Sequence, residues 1–194
     1  MTQSKTLRRW ELALLLGVAL AALLGVWLDG AQAALSDRVI RLHVLANSDS
    51  EADQALKLRV RDAVLAEAEE LFVPGAGRAE TEELLRAHLY DLAAAGAEVV
   101  GEAGYSYPVT ASLVHDYWFP TKTYTDFALP AGAYTALRIE IGAGGGQNWW
   151  CVVFPPLCLG SVSETTQETA LEAGLTENQV SLMTGEDEGY VVKF

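Results

Sequence analysis

Residues 42–57 read LHVLANSDSEADQALK, and the change of character after Ala46 decides how the chain divides. Up to that point the pattern is that of a strand. In Arg38 to Ala46, RVIRLHVLA, the residues Ile40, Leu42 and Val44 share one alternating face, with Val39, Arg41, His43 and Leu45 on the other, which predicts a largely buried strand. From Asn47 the residues turn polar. Ser48-Asp49-Ser50-Glu51 fits a capping box, in which a serine hydroxyl accepts from a free backbone N–H and the following acid reaches back. A helix is therefore predicted from here to about Phe72, with Ala52, Leu56, Val60, Ala63, Val64 and Leu71 near one face. Pro74-Gly75-Ala76-Gly77 ends it, because proline cannot donate and glycine relaxes the backbone.

A second helix is predicted from Thr81 to Ala95, with Thr81 as N-cap, Leu84, Leu85, His88, Leu89 and Leu92 at helical spacing, and Gly96 as its stop. From Glu98 onward the pattern favours strands: Tyr107 to Trp118, Thr121 to Leu129, Tyr134 to Ile141 after the turn Pro130-Ala131-Gly132, and Asn148 to Phe154 after a glycine-rich loop, Gly142 to Gly146. Ser161 to Gly189 is acidic with a weak helical pattern, and Tyr190 to Phe194 suits a last strand. Strand, helix, helix and then an antiparallel meander predict an α+β fold: a mainly antiparallel sheet with two helices packed on one face.

Ahead of this lies an export signal. Lys5, Arg8 and Arg9 precede an uncharged apolar run, Leu12 to Leu28, followed by Asp29-Gly30-Ala31-Gln32-Ala33 with its Ala-x-Ala pattern. That is the layout of a secretory signal peptide cleaved after Ala33, and the run of 17 is also just long enough for an uncleaved transmembrane anchor. With the positive charges before the run, the remainder is expected on the exported side in either case. The chain thus divides into residues 1–33, a domain at 34–160, and an acidic segment at 161–194. The 13 basic and 26 acidic residues give a net charge of −13. Removing residues 1–33 leaves 13 − 3 = 10 basic and 26 − 2 = 24 acidic residues, a net −14. Such a surface argues against nucleic acid, whose phosphates need clustered Lys and Arg.

Motifs for chemistry are scarce. Asn47, Asp49, Glu51 and Asp53 alternate like calcium ligands, but Ala52 stands where the tight turn wants glycine and Leu58 where a bidentate acid is needed. Gly142 to Gly146 lacks the Lys-Ser or Lys-Thr of a phosphate loop and joins two strands, for which a flexible hairpin connection suffices. Cys151 and Cys158 flank Pro155-Pro156. Export permits a disulfide between them, while two buried thiols on neighbouring apolar segments is an equal reading; no zinc-ligand spacing accompanies them. No cofactor is called for. The aromatic supply, Tyr117, Trp118, Tyr124, Phe127, Trp149 and Trp150, suits a sheet core, but adjacent tryptophans on a strand face opposite sides. One of that pair is a candidate anchor for a protein partner.

The pieces RLHVLANSDSEADQALKLRVRDAV, YPVTASL, FPTKTYTDFALPAGAYTALRIEIGAG and GQNWWCVVFPPLC follow one another behind the export segment, and in this order the chain resembles the stage II sporulation protein R family of endospore-forming Firmicutes from about Arg38 to Cys158. The resemblance implies a non-enzymatic signalling protein. It would be made in the forespore, exported into the space between the septal membranes, and would there activate a membrane-embedded aspartic protease that processes the pro-form of sigma factor E. The partner-binding surface is expected at Asn47, Ser48 and Asp49 together with Gln147, Asn148, Trp149 and Trp150, which adjoin if the first and last strands are neighbours. Two rivals stand beside this reading: an exported hydrolase using Cys151 or Cys158 with a histidine, and a structural envelope protein held by its uncleaved N-terminal segment.

Overall fold

The computed structural model describes residues 9–73, 75–124, 127–158 and 164–184. A helix, α1 (Arg9–Ser36), leads into β1 (Ile40–Leu45), and α2 (Glu51–Glu70), α3 (Arg78–Ala87) and α4 (Leu89–Glu102) follow. Next come β2 (Val109–Phe119), the short β3 (Lys122–Thr123) and β4 (Ala128–Leu129), β5 (Gly132–Ile141), β6 (Asn148–Phe154), α5 (Glu164–Glu172) and α6 (Glu177–Thr184).

The sheet is α+β as expected in class, but it is mixed. Its strand order is β2-β5-β1-β6, with β1 parallel to β5 from Ile40↔Thr135 to Leu45↔Glu140 and antiparallel to β6. The expected meander is interrupted: β2 and β5 pair antiparallel, yet β1 inserts between β5 and β6. All six residues of β1 are buried, the polar Arg41 and His43 among them, and a strand buried on both faces belongs in the middle of a sheet covered on both sides.

Three helices, not two, cover one face. The segment expected as one helix breaks at His88, whose φ of −110° leaves the helical region and whose N–H bonds to both Leu84 and Leu85 carbonyls. Gly77 takes the N-cap position expected of Thr81, which lies inside α3 and donates its hydroxyl to the Gly77 carbonyl. Gly96 is not a stop either. It lies within α4, where an added Cβ would stand 3.0 Å from Val109 Cγ1 and 3.1 Å from Val60 Cγ1, so its missing side chain lets α4 approach α2 and β2. Leu42, Val44, Leu56, Val60, Val64, Leu92, Leu137 and Ile139 close the core on this side, each contributing roughly 1.5–3 kcal/mol by burial.

The opposite face carries a second core. Leu35 and Val39 pack with Phe119, Leu129, Tyr134, Val152, Val180 and Met183. The cover is a two-stranded hairpin, β3 with β4, where a single extended run over Thr121 to Leu129 was expected, together with α5 and α6, whose weak periodicity hid them. Arg41 is fully buried on this side, its guanidinium 4.1 Å from the Phe119 ring centroid. The strand expected at Tyr190 to Phe194 lies outside the described residues. Helix α1 is apolar and exposed over Leu12 to Leu24. It joins the domain at its end, where the Gln32 amide donates to the Ala131 carbonyl and Gln179 Nε2 donates to the Ala34 carbonyl. Among the described residues no helix is long and apolar enough to cross a membrane.

Candidate functional site

Because β1 and β6 are neighbours, with Leu45 opposite Asn148, the chain leaving β1 meets the chain entering β6 at one end of the sheet. The β5–β6 connection is therefore no hairpin. It must pass over the end of β1, and it is clamped there: Ala143 N donates to Asn47 Oδ1 at 3.0 Å, Gly145 N to the Asn47 carbonyl at 3.3 Å, and Gly146 N to the Ala46 carbonyl at 2.9 Å. Gly142 and Gly144 take left-handed φ of 60° and 61°, which glycine adopts without steric penalty. A Cβ at Gly146 would overlap the Ser48 carbonyl.

The helix start beneath it is built from the polar cluster. Ser50, not Ser48, is the N-cap, its hydroxyl accepting from Asp53 N at 3.2 Å. Ser48 Oγ donates to Asp53 Oδ2 at 2.5 Å and Asn47 Nδ2 to the same oxygen at 2.9 Å. These bonds, Ser48's first, hold the Asp53 carboxyl below the ordinary value. Asp49 Oδ1 accepts from Gln147 N at 2.7 Å, and the buried Lys57 donates through Nζ to the Gln147 carbonyl at 2.9 Å and to Gln54 Oε1 at 2.7 Å. Burial lowers the Lys57 pKa, with the Asp49 charge opposing that fall. Asp53, Gln54 and Lys57 are site residues that the sequence reading missed as such. The Ser-x-x-Asp spacing of Ser50 and Asp53 was their one local signal.

The aromatic edge splits as strand geometry demands. Trp149 faces the helix layer and is 37% exposed, with the Arg61 guanidinium 4.4 Å from its ring centroid. Trp150 is half-buried on the other side, near His43 and Phe119. His43, buried, bonds Asn148 Oδ1 through Nε2 at 2.7 Å, and burial holds its pKa below the ordinary value. The structure thus brings together all seven residues singled out in the sequence, with Asp49, Gln147, Asn148 and Trp149 exposed at the rim and Asn47, Ser48 and Trp150 partly buried behind it.

Nucleophilic chemistry finds little support in this arrangement. Cys151 and Cys158 are joined in a disulfide, and no free cysteine exists, which removes the thiol that a cysteine hydrolase needs. A hydroxyl–imidazole–carboxylate line does occur at the sheet's other edge: His115 lies 3.2 Å from both Thr135 Oγ1 and Glu82 Oε1. There Arg78 donates to Thr135 Oγ1 at 2.5 Å, Thr135 is only 6% exposed, and Arg78 and Arg86 both pair with Glu82. A hydroxyl so closed off is a structural bridge. Among the described residues no cluster of His, Cys, Asp and Glu suits a metal ion.

What fold and rim define is a small α+β domain that presents a rigid polar and aromatic edge. The chain belongs to the stage II sporulation protein R family, which matches residues 36–164. It is 40% identical over 124 residues to stage II sporulation protein R of Bacillus subtilis (strain 168), a match covering 64% of this chain and 55% of that protein. The chain thus matches about half the length of that relative. No solved structure matches it significantly.

Proposed function

We propose that this chain is a non-enzymatic signal of endospore formation, exported from the forespore into the septal intermembrane space, where it switches on the membrane-embedded aspartic protease that processes pro-sigma factor E. Family membership over residues 36–164 carries the reading, since that span holds the whole sheet and both halves of the rim. The charged start and apolar run of the N-terminal segment supply the export signal. Activation follows if the rim from Asn47 to Asp49 and from Gln147 to Trp150 binds the active arrangement of the protease better than the inactive one, because a ligand moves an equilibrium only by its differential affinity. A rim whose hydrogen bonds are already made loses little conformational entropy on binding.

The test is co-expression of the full chain with the cognate protease and pro-sigma factor in a non-sporulating host. Precursor cleavage that depends on this chain is the expected result. Its absence, with every component folded and exported, overturns the reading.

A further inference from the structure

The two edges of the sheet are treated differently. At β6 two of the outward backbone groups are covered: Val152 N donates to Cys158 Sγ at 2.8 Å and the Trp150 carbonyl accepts from the Tyr124 hydroxyl at 3.3 Å. At β2 they are bare. Gly142 N bonds the Pro108 carbonyl at 2.8 Å, which sets the phase of the antiparallel ladder: Thr110, Ser112 and Val114 turn their backbone groups to β5, while Val109, Ala111 and Leu113 turn theirs outward. Among the described residues no hydrogen bond reaches those outward groups.

Natural sheets blunt such an edge with charge, proline or a bulge. Here the guards stand only at the ends, with Pro108 before the strand and a bulge between Val114 and Tyr117, where Asp116 has φ 53°. Between them 109–114, VTASLV, carries no charge. We propose that Val109 to Leu113 pairs antiparallel with the same segment of a second copy of this chain, about a two-fold axis through Ala111, making one continuous eight-stranded sheet. This goes beyond the signalling role and does not depend on it.

The segment is self-complementary in that register. Ala111 meets its own mate, Val109 meets Leu113 on the face packed against the helix-side core, and Thr110 meets Ser112 on the other face. Apolar residues oppose apolar and hydroxyl opposes hydroxyl, the pairs that stabilise adjacent strands. The net charge of −13 lies outside the segment, so two copies repel at range, and added salt, which screens beyond about 8 Å at physiological strength, strengthens the pairing. A basic partner strand on the same edge would respond in the opposite sense.

A thiol at position 111 reads the pairing directly, because a hydrogen-bonded antiparallel pair places its Cα atoms about 5.5 Å apart, within disulfide range. The full chain with Ala111→Cys, expressed with its N-terminal segment in an exporting host and run on a non-reducing gel, is expected to give a covalent homodimer that grows with salt. Glu98→Cys, exposed on α4, is expected to stay monomeric and controls for clustering through α1. Adding Thr110→Lys and Ser112→Lys sets lysine against lysine across the axis on the face away from the helices, and should abolish the dimer with the circular-dichroism spectrum unchanged. An Ala111→Cys chain that remains monomeric, links to a different protein, links no more than Glu98→Cys, or still dimerises with both lysines in place overturns the proposal.

Discussion

The Asp49 carboxylate accepts a 2.7 Å hydrogen bond from the Gln147 backbone N–H, joining residues 98 apart in sequence. That bond ties the start of α2 to the entry of β6 and so joins the two halves of the rim. Asp49→Ala is expected to release Gln147 and abolish precursor cleavage in the co-expression assay, with a loss of about 1 kcal/mol in chemical denaturation. Asp49→Asn keeps an acceptor and should retain most of the activity.

Trp149 is the exposed member of the tryptophan pair. Trp149→Ala is expected to abolish precursor cleavage while lowering stability by no more than about 1 kcal/mol, the scale of its contact with Arg61. Trp150→Ala removes a half-buried ring and should lower stability by about 3 kcal/mol. Comparing cleavage with denaturation for both variants separates recognition from folding.

Gly146→Ala tests the crossing loop. The new methyl overlaps the Ser48 carbonyl, a backbone atom that cannot rotate away, so the clamp on β1 must open. Overpacking of this kind lowers stability by about 1–3 kcal/mol, measured by urea denaturation, and should slacken the rim enough to reduce precursor cleavage as well.

Stability should fall on mild acidification. His43 is held neutral by burial, with a pKa below 6.5. As pH drops through 6.5 the unfolded chain takes up a proton that the folded one refuses, so folding stability is lost progressively toward the lower folded value and is unaffected above 6.5. The slope cannot exceed about 1.4 kcal/mol per pH unit from one group. Asp53 acts in the same direction but in a separate, lower window, since its unfolded value is 3.8 and its folded one lower still. In His43→Gln, whose amide still reaches Asn148 but cannot charge, the difference between denaturation at pH 7.5 and at pH 5.5 should flatten.

The disulfide closes a short loop at the β6 edge, with a sequence separation of 7. Replacing both cysteines by serine should lower stability by about 2–3 kcal/mol through the restored freedom of the unfolded chain. Precursor cleavage should persist at a temperature where the variant stays folded, because the proposed activation uses no thiol chemistry.

The four main strands and α2 were legible because each carries its own signal: alternation in Ile40 to Leu45 and Tyr134 to Ile141, β-branched and aromatic runs around Val109 to Phe119 and Asn148 to Phe154, and a serine-rich polar stretch before an apolar stripe, although the cap sits at Ser50 and not at the expected Ser48. The clustering of Asn47 to Asp49 with Gln147 to Trp150 was legible only on condition that the first and last strands of the sheet met. Helices α5 and α6 escaped because little of their surface is buried, so selection for periodicity there is weak. The break at His88 escaped because Leu84 to Leu92 keeps helical spacing straight across it.

By itself, then, the sequence determined which segments form the four strands of the main sheet, that a helix follows the first of them, and that one of two adjacent tryptophans must leave the core. These are local consequences of side-chain period and capping chemistry. Tertiary structure alone decided that β1 lies parallel to β5 between two strands that follow it, that Gly142 to Gly146 crosses its end, and that Asp53 and Lys57 anchor the crossing. Strand alternation states which face is apolar and says nothing about which neighbour supplies the backbone hydrogen bonds, and that choice is made by burying β1 on both faces.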